Sequence, residues 1–175
     1  SFYLARARRI IPALIVLCST LLFLGWFWLP TADYHVLALN AITALTFVSN
    51  LKFWREAGYF DITSRENWLL HTWSLSVEWQ FYILLPVGCI LLWRWFGLQG
   101  VKFALIAAGV LSLALSIYVS PRPPGSAFYL LPTRIWELLA GGAVWWLTRR
   151  HSMSQRPARI LELVGFILIA LSVTL

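Results

Sequence analysis

The chain has 175 residues, is 60% hydrophobic and only 12% charged, carries a formal net charge of +7 and contains 11 tryptophans. Soluble globular chains are about 45–50% apolar and about 25% charged, so an ordinary soluble domain is excluded. The apolar runs are continuous rather than alternating, which argues against the strands of an outer-membrane barrel and predicts an all-α, polytopic transmembrane helix bundle of about six helical membrane segments.

Residues 1–9 read SFYLARARR. Arg6, Arg8 and Arg9 precede a first span expected over Ile10–Leu29, with Pro12 in its first turn, where a missing backbone N–H does no harm. By the positive-inside rule this end is cytoplasmic, and basic clusters at segment ends read as topology signals rather than as a nucleic-acid surface. Arg6 and Arg9 are also i, i+3 on one helix face. Two forked guanidiniums there suit the phosphates of a nucleotide-like donor; orienting the helix explains the same residues without a site.

Pro30 to Tyr34 form a turn. The next apolar segment, His35–Leu51, is short for a span of roughly 20 residues and contains Asn40, Thr43, Thr46, Ser49 and Asn50. It reads as a short span or a re-entrant element. Residues 52–70 then mix Lys52, Arg55 and Arg65 with Glu56, Asp61, Glu66 and several aromatics, the composition of an amphipathic segment lying on the membrane interface. If His35–Leu51 spans, the basic residues divide almost evenly between the two sides. If it enters and returns on one side, only Lys52, Arg55, Arg65 and Arg122 lie outside, and the remaining cations other than Arg134 lie inside. The positive-inside rule prefers the second arrangement.

His71-Thr72-Trp73-Ser74-Leu75-Ser76-Val77-Glu78-Trp79-Gln80-Phe81-Tyr82 opens a long apolar segment that runs to about Phe96. Glu78 is an acid at membrane depth, and such groups commonly face a bundle interior or a water-filled cavity. On a helix His71, Ser74, Glu78 and Tyr82 share one face, a set able to move protons. The same aromatics and His71 also fit an interfacial belt, and Glu78 also fits an ion-pair partner for an arginine on another helix. A basic turn, Arg94–Lys102, separates this helix from a bland span over Phe103–Val119. Ser120–Gly125 is a loop by its prolines and glycine. Thr133 is a plausible N-cap for the helix that follows. Arg134 and Glu137 are i, i+3, either a self-neutralising pair or a site, and Ala140–Ala143 is a small-residue patch of the kind that marks close helix packing. Arg149, Arg150, Arg156 and Arg159, with His151, form a second basic cluster, and Ile160–Leu175 is a last apolar segment. Cys18 and Cys89 lie inside apolar runs and read as core residues. No metal-ligand spacing, nucleotide-binding glycine loop or internal repeat is present.

Three ordered pieces, FYLARARRIIP at 2–12, SNLKFWREAGYF with LLHTWSLSVEWQFY at 49–82, and AFYLLPTRIWELLAGG at 127–142, closely resemble the membrane acyltransferase 3 family, the OafA/YrhL-like O-acyltransferases. The resemblance spans nearly the whole chain. It implies transfer of an acyl group, commonly acetyl, from a cytoplasmic acyl-CoA donor to a hydroxyl of a cell-surface glycan such as O-antigen or another polysaccharide. It also implies a multi-pass protein of the bacterial inner (cytoplasmic) membrane, whose partners are the lipid bilayer, acyl-CoA and the glycan acceptor, with no bound cofactor, no metal and no nucleic acid. Arg6 and Arg9 match the family's RxxR element, Glu78 the acid of SxExQFY, and Arg134 and Glu137 the tRxWEL element. His71, Glu78, Arg134 and Glu137 are the candidate catalytic residues, and Arg6 and Arg9 the candidate donor-binding residues. Ala5 stands where relatives are often basic, and Trp79 where many have a second acid. The wording NLKFWREAGYFD before HTWSL looks most like members with an added C-terminal SGNH domain.

The chain starts at Ser1 on a basic stretch and ends inside an apolar run. Residues 1–175 are therefore expected to be one partial transmembrane domain of a longer protein. The family's first helix, with its arginine and histidine, would precede Ser1, so this piece alone is expected to be inactive. A transporter that uses Glu78, Arg134 and Glu137 as a proton or ion relay is the competing reading, although such proteins usually show repeats with matching broken helices. A structural membrane subunit explains the apolar runs but not the ordered motifs.

Overall fold

A computed structural model describes residues 2–57, 67–121, 125–150, 159 and 162–167. Every regular element among the described residues is helical. They fall into two compact units, Ser1–Trp136 and Glu137–Leu175. Arg65, Glu66, Asp61, Arg122, His151 and Arg156 lie outside the described residues.

In the first unit α1 spans Phe2–Trp28. It starts well before the expected Ile10, because the aromatic and basic opening stretch continues the helix. Pro12 is consequently interior rather than in the first turn, a position tolerated in membrane helices because neighbours and local adjustments re-satisfy the freed carbonyl. At 1.5 Å per residue α1 is about 40 Å long, enough to cross a hydrocarbon core of about 30 Å. Only 17% of its most apolar stretch is buried. Val16, Phe23, Trp26, Phe27 and Trp28 all point outward, as lipid-facing side chains do and the core helix of a soluble protein does not.

The chain then reverses at Leu29–Pro30 into α2 (Thr31–Leu45). Gly25 permits the close crossing: a Cβ there would meet Leu37 Cδ2 at 2.9 Å. Leu14 and Cys18 of α1 pack with Leu37, Ala41 and Ala44 of α2 and with Phe47 and Leu69 in one core cluster. Small residues at Ala41 and Ala44 let the two backbones approach. At 15 residues, about 22 Å by the helical rise, α2 is too short to span. Its polar residues are satisfied locally. Thr43 Oγ1 donates to the carbonyls of Leu39 and Asn40, and Thr46 Oγ1 to that of Ile42, the usual way a hydroxyl is carried in an apolar helix.

α2 ends at Phe47, a non-glycine residue with φ 56. The Val48 N–H donates to the Thr43 carbonyl and the Phe47 N–H to that of Ala44, so Phe47 occupies the left-handed position past the helix end where glycine is usual. The conformation costs about 1–2 kcal/mol for a residue with a Cβ. It is held by stacking of the Phe47 ring on Trp79, with centroids 4.7 Å apart, and by the Phe47 carbonyl, which accepts from Gln80 Nε2 at 3.0 Å. From this turn α3 (Ser49–Glu56) runs back beside α2, where Lys52 Nζ reaches Asn40 Oδ1 and pairs with Glu56 at 2.8 Å. α2 and α3 therefore form a helical hairpin, and α3 occupies the first part of what the sequence presents as a polar loop.

α4 extends over Thr72–Val119. Trp73 touches Phe128 and Tyr129, while Ser112 Oγ donates to the Pro132 carbonyl at 2.6 Å. Trp73 and Ser112 would lie about 58 Å apart in a straight helix. Phe128 and Pro132, four residues apart, cannot bridge that, since consecutive Cα atoms are only about 3.8 Å apart. α4 must fold back, and it does so at Gly97, whose φ of 64 and ψ of −170 are non-helical. This backbone region is essentially reserved for glycine. The expected turn Arg94–Lys102 is thus a single-residue break between two long helical arms. Only 11% of the most apolar stretch of α4 is buried.

α1 and α4 are the two helices long and apolar enough to cross a membrane among the described residues. Two such helices do not by themselves make the expected bundle of about six segments; α4 supplies two arms, and α2 and α3 form a hairpin. After α4, the short α5 (Gly125–Tyr129) and a 3-10 turn, Leu131–Thr133, lead to α6 (Ile135–Arg150). Thr133 does not cap α6. Its hydroxyl donates backward to the Leu130 and Ala127 carbonyls, and the Trp136 N–H is taken by Ser112 Oγ of α4 at 3.2 Å. In the second unit, nothing lies within 4 Å of where a Cβ would sit on Gly141 or Gly142. Residues 162–167 are helical and largely exposed.

Candidate active site

Two helices meet through a layer of polar side chains that sequence reasoning did not assemble. Ser49 and Ser76, both 0% exposed, share a hydrogen bond of 2.8 Å between α3 and α4. Thr72 Oγ1 donates to Ser49 Oγ at 3.2 Å and to the Leu69 carbonyl at 2.7 Å. One turn further on, Gln80 Nε2 donates to Asn50 Oδ1 at 2.8 Å, and Asn50 Nδ2 donates to the Tyr129 carbonyl at 3.2 Å. The inward face of α4 is therefore Thr72, Ser76, Val77 and Phe81, with Gln80 beside them. The recoverable signal was the i, i+4 spacing of Thr72, Ser76 and Gln80 set against the consecutive pair Ser49-Asn50.

The expected face of His71, Ser74, Glu78 and Tyr82 is not the interior one. His71 and Ser74 are exposed, and Ser74 Oγ donates to the His71 carbonyl, not to its ring. The physical reason is that uncharged hydroxyls and amides satisfy one another inside a helix contact, whereas a carboxylate there would need a cation. Glu78 is half-buried at the edge of that contact. It accepts a long hydrogen bond of 3.5 Å from the Tyr82 hydroxyl.

Tyr82 stands one turn beyond Glu78 on the same side of α4, whereas Trp73, five residues before it, projects about 140° round the helix; each carries an arginine. The Arg6 guanidinium lies 4.6 Å from the centre of the Tyr82 ring. The Arg134 guanidinium lies 4.9 Å from the centre of Trp73 and 5.7 Å from that of Phe128. Measured along the helix axis, the two residues are about 6 and 7.5 Å from Glu78 by the 1.5 Å rise. The first and third sequence motifs thus converge on the second. Cations over aromatic faces hold position at modest cost, worth about 0.5–2 kcal/mol each, and Arg6 on Tyr82 is the one that lies on the side of α4 that carries Glu78. Arg9, one turn beyond Arg6, is exposed. Glu137 is exposed in the first turn of α6, in the second unit. No grouping of histidine, cysteine and carboxylate side chains able to hold a metal occurs among the described residues.

Described residues that are helical in every regular element, with long apolar helices whose side chains face outward, define a membrane protein. The chain matches no family profile and no solved structure. It is 31% identical to an uncharacterized protein of Haemophilus influenzae over 96% of this chain and 72% of that protein. It is also 31% identical to the protein of Komagataeibacter xylinus named for a membrane-bound transacylase, BcsY, over 85% of this chain and 38% of that protein. It is 30% identical to the peptidoglycan O-acetyltransferase OatA of Listeria monocytogenes over 95% of this chain and 28% of that protein. With these relatives and its three ordered motifs, the chain belongs to the acyltransferase 3 family. It spans well under half the length of the two relatives named for an activity.

Proposed function

We propose that the protein containing this chain is a multi-pass O-acyltransferase of the bacterial inner membrane. In this reading it transfers an acyl group, acetyl in the simplest case, from a cytoplasmic acyl-CoA to a hydroxyl of a cell-surface glycan. The observation that carries the reading is the packing of Arg6 and Arg134, from opposite ends of the motif order, on Tyr82 and Trp73 of the α4 segment that holds Glu78. Alignment with a peptidoglycan O-acetyltransferase over 95% of the chain supports it.

The reaction moves an acyl carbon from sulfur to oxygen. The acceptor hydroxyl oxygen attacks the thioester carbonyl, and its proton passes to a base. The carbonyl oxygen carries the negative charge until the carbon–sulfur bond breaks and the CoA thiolate leaves, to be protonated in turn. Glu78 is the described carboxylate placed to take or relay that proton, with Tyr82 fixing one of its oxygens. Arg134 supplies positive charge for the oxyanion. Arg6 and Arg9 mark the donor end, where forked guanidiniums hold phosphates. His71, exposed at the opening of α4, takes a secondary part in proton movement, and Glu137 enters only through its match to the tRxWEL element.

The test is acetyl transfer by the full-length protein in proteoliposomes, with acetyl-CoA inside and glycan outside. Glu78→Gln keeps shape and removes charge, and it should abolish transfer while leaving the yield of folded protein unchanged. Full activity in that variant would overturn the assignment.

A further inference from the structure

A cavity of about 280 Å³ opens between the α1–α2 reversal and the turn that leads into α4. Val36 and Leu37 form its apolar wall, Asp33, Asn40 and Asn67 bring polar atoms to it, and Trp68 stands at its edge. It lies at the end of α1 remote from Arg6, since Leu29 also lines it while Arg6 sits against Tyr82.

The polar groups are ordered by one buried amide. Asn40 is 2% exposed, and both halves of its side chain are engaged. Its Oδ1 accepts from Lys52 Nζ, and its Nδ2 donates to Asn67 Oδ1 at 3.0 Å. That bond spends the Asn67 oxygen and turns its NH2 group into the free half of the amide. The Asp33 carboxylate is exposed and has no ion pair or hydrogen bond among the described residues. Trp68 is 49% exposed. The cavity thus offers a fixed donor, a charged acceptor, an aromatic face and an aliphatic wall.

That combination selects a chemical class. A sugar ring presents hydroxyls that both donate and accept, and a C–H face that lies on an aromatic ring. The Asp33 carboxylate takes hydroxyl protons and repels a carboxylate or phosphate on the ligand. Lys52, the nearby cation, is already paired with Glu56 and offers an anion little. The volume is at the lower edge of small-molecule sites, which run from about 300 to 1,000 Å³, and so fits one ring rather than a chain. We propose that this cavity binds one neutral sugar residue of the glycan acceptor. The inference rests on the acyltransferase reading for the word acceptor and deepens it. Trp68 stands four residues before α4 begins, and Glu78 is about 9 Å along α4 from Thr72, so further rings of the same glycan extend toward the acid.

The experiment measures sugar binding to the full-length protein in lipid nanodiscs, using neutral trisaccharides of glucose, mannose and N-acetylglucosamine and a trisaccharide of galacturonic acid. At least one neutral trimer should bind, and the galacturonic acid trimer should bind tenfold more weakly or worse. Trp68→Leu and Asn67→Ala should each weaken neutral binding tenfold or more, Trp68→Phe should stay within threefold of native, and Asp33→Asn should narrow the gap between neutral and acidic sugars. An unchanged unfolding midpoint certifies the fold of each variant, and Trp68→Leu alters only a half-exposed side chain should Asn67→Ala disturb Asn40. Binding of no neutral trimer, preference for the acidic one, or unchanged binding in Trp68→Leu and Asn67→Ala overturns the proposal. Release of CoA from acetyl-CoA by the native protein is followed in parallel. Its absence, with site-dependent sugar binding intact, would sink the acyltransferase reading and leave the cavity assignment standing; the reverse pattern would do the opposite.

Discussion

Replacing Gln80 by Leu keeps the side-chain size and deletes every polar contact by which this residue joins α4 to the α2–α3 hairpin. Gln80 Nε2 donates to the Phe47 carbonyl at 3.0 Å and to Asn50 Oδ1 at 2.8 Å, and Gln80 Oε1 accepts from Asn50 Nδ2 at 3.4 Å. Asn50 is 0% exposed, so its oxygen has no water to turn to. Leaving a buried acceptor unpaired costs about 1–3 kcal/mol in soluble proteins. In membranes an interhelical bond averages only about 0.6 kcal/mol, with a maximum near 1.7, because the dissociated helices find other partners. Here two acceptors lose their donor, one of them the carbonyl that helps to hold Phe47 in its left-handed conformation. The membrane figure, applied twice, therefore sets a lower bound of about 1 kcal/mol, and the soluble figure for Asn50 alone sets an upper one of about 3 kcal/mol. The assay is reversible unfolding of the full-length protein in bicelles, read as a double-mutant cycle with Asn50→Leu. The second substitution should cost less in the Gln80→Leu background than alone, with a coupling of at least about 0.5 kcal/mol. A Gln80→Leu protein within about 0.3 kcal/mol of native, or strict additivity, would refute the claim that this amide pair holds the hairpin to α4.

Gly97→Ala should destabilise by about 1–3 kcal/mol through backbone conformation alone, because nothing lies within 4 Å of the new Cβ. Gly88→Ala, also in open space but helical, should be neutral or stabilise by up to about 1 kcal/mol, and equal effects in the same unfolding assay would contradict the fold-back at Gly97. Ser112→Ala removes the hydroxyl that accepts from the Trp136 N–H and donates to the Pro132 carbonyl, and it should lower stability by about 0.5–2 kcal/mol, as loss of a helix cap does; fast amide exchange at Trp136 would report the same loss locally. Single cysteines at positions 64 and 154, in a background without Cys18 and Cys89, test sidedness. An impermeant thiol reagent added to intact cells should label position 64 and spare 154, and the opposite pattern would mean that segment 35–51 crosses the membrane.

Composition determined the class of this protein. Runs with this hydropathy have no stable arrangement in water except buried, and the chain is too apolar to bury them all, so outward-facing apolar side chains such as Phe23, Trp26, Trp95 and Phe103 follow from composition alone. The arginines at 6 and 9, Glu78, and Arg134 were legible as chemistry, because charge inside an apolar run is costly enough to need a reason. Segment 35–51 was legible as too short and too polar for an ordinary span. Three things needed the tertiary structure. Periodicity placed Glu78 on a face with His71, but it could not say which face of α4 points inward. That was decided by α3, whose Ser49 and Asn50 match Ser76 and Gln80 across the contact. Phe47 carries no sequence mark of a helix end, since glycine is what usually signals one; its conformation is stabilised by stacking on Trp79, thirty-two positions away in the chain, and by the bond from Gln80. The placing of Arg6 on Tyr82 and of Arg134 on Trp73 depends on α1 running antiparallel to the first arm of α4 and on the fold-back at Gly97. Those are long-range packing choices, and a local pattern of residues contains no information about which distant surface will be there to meet it.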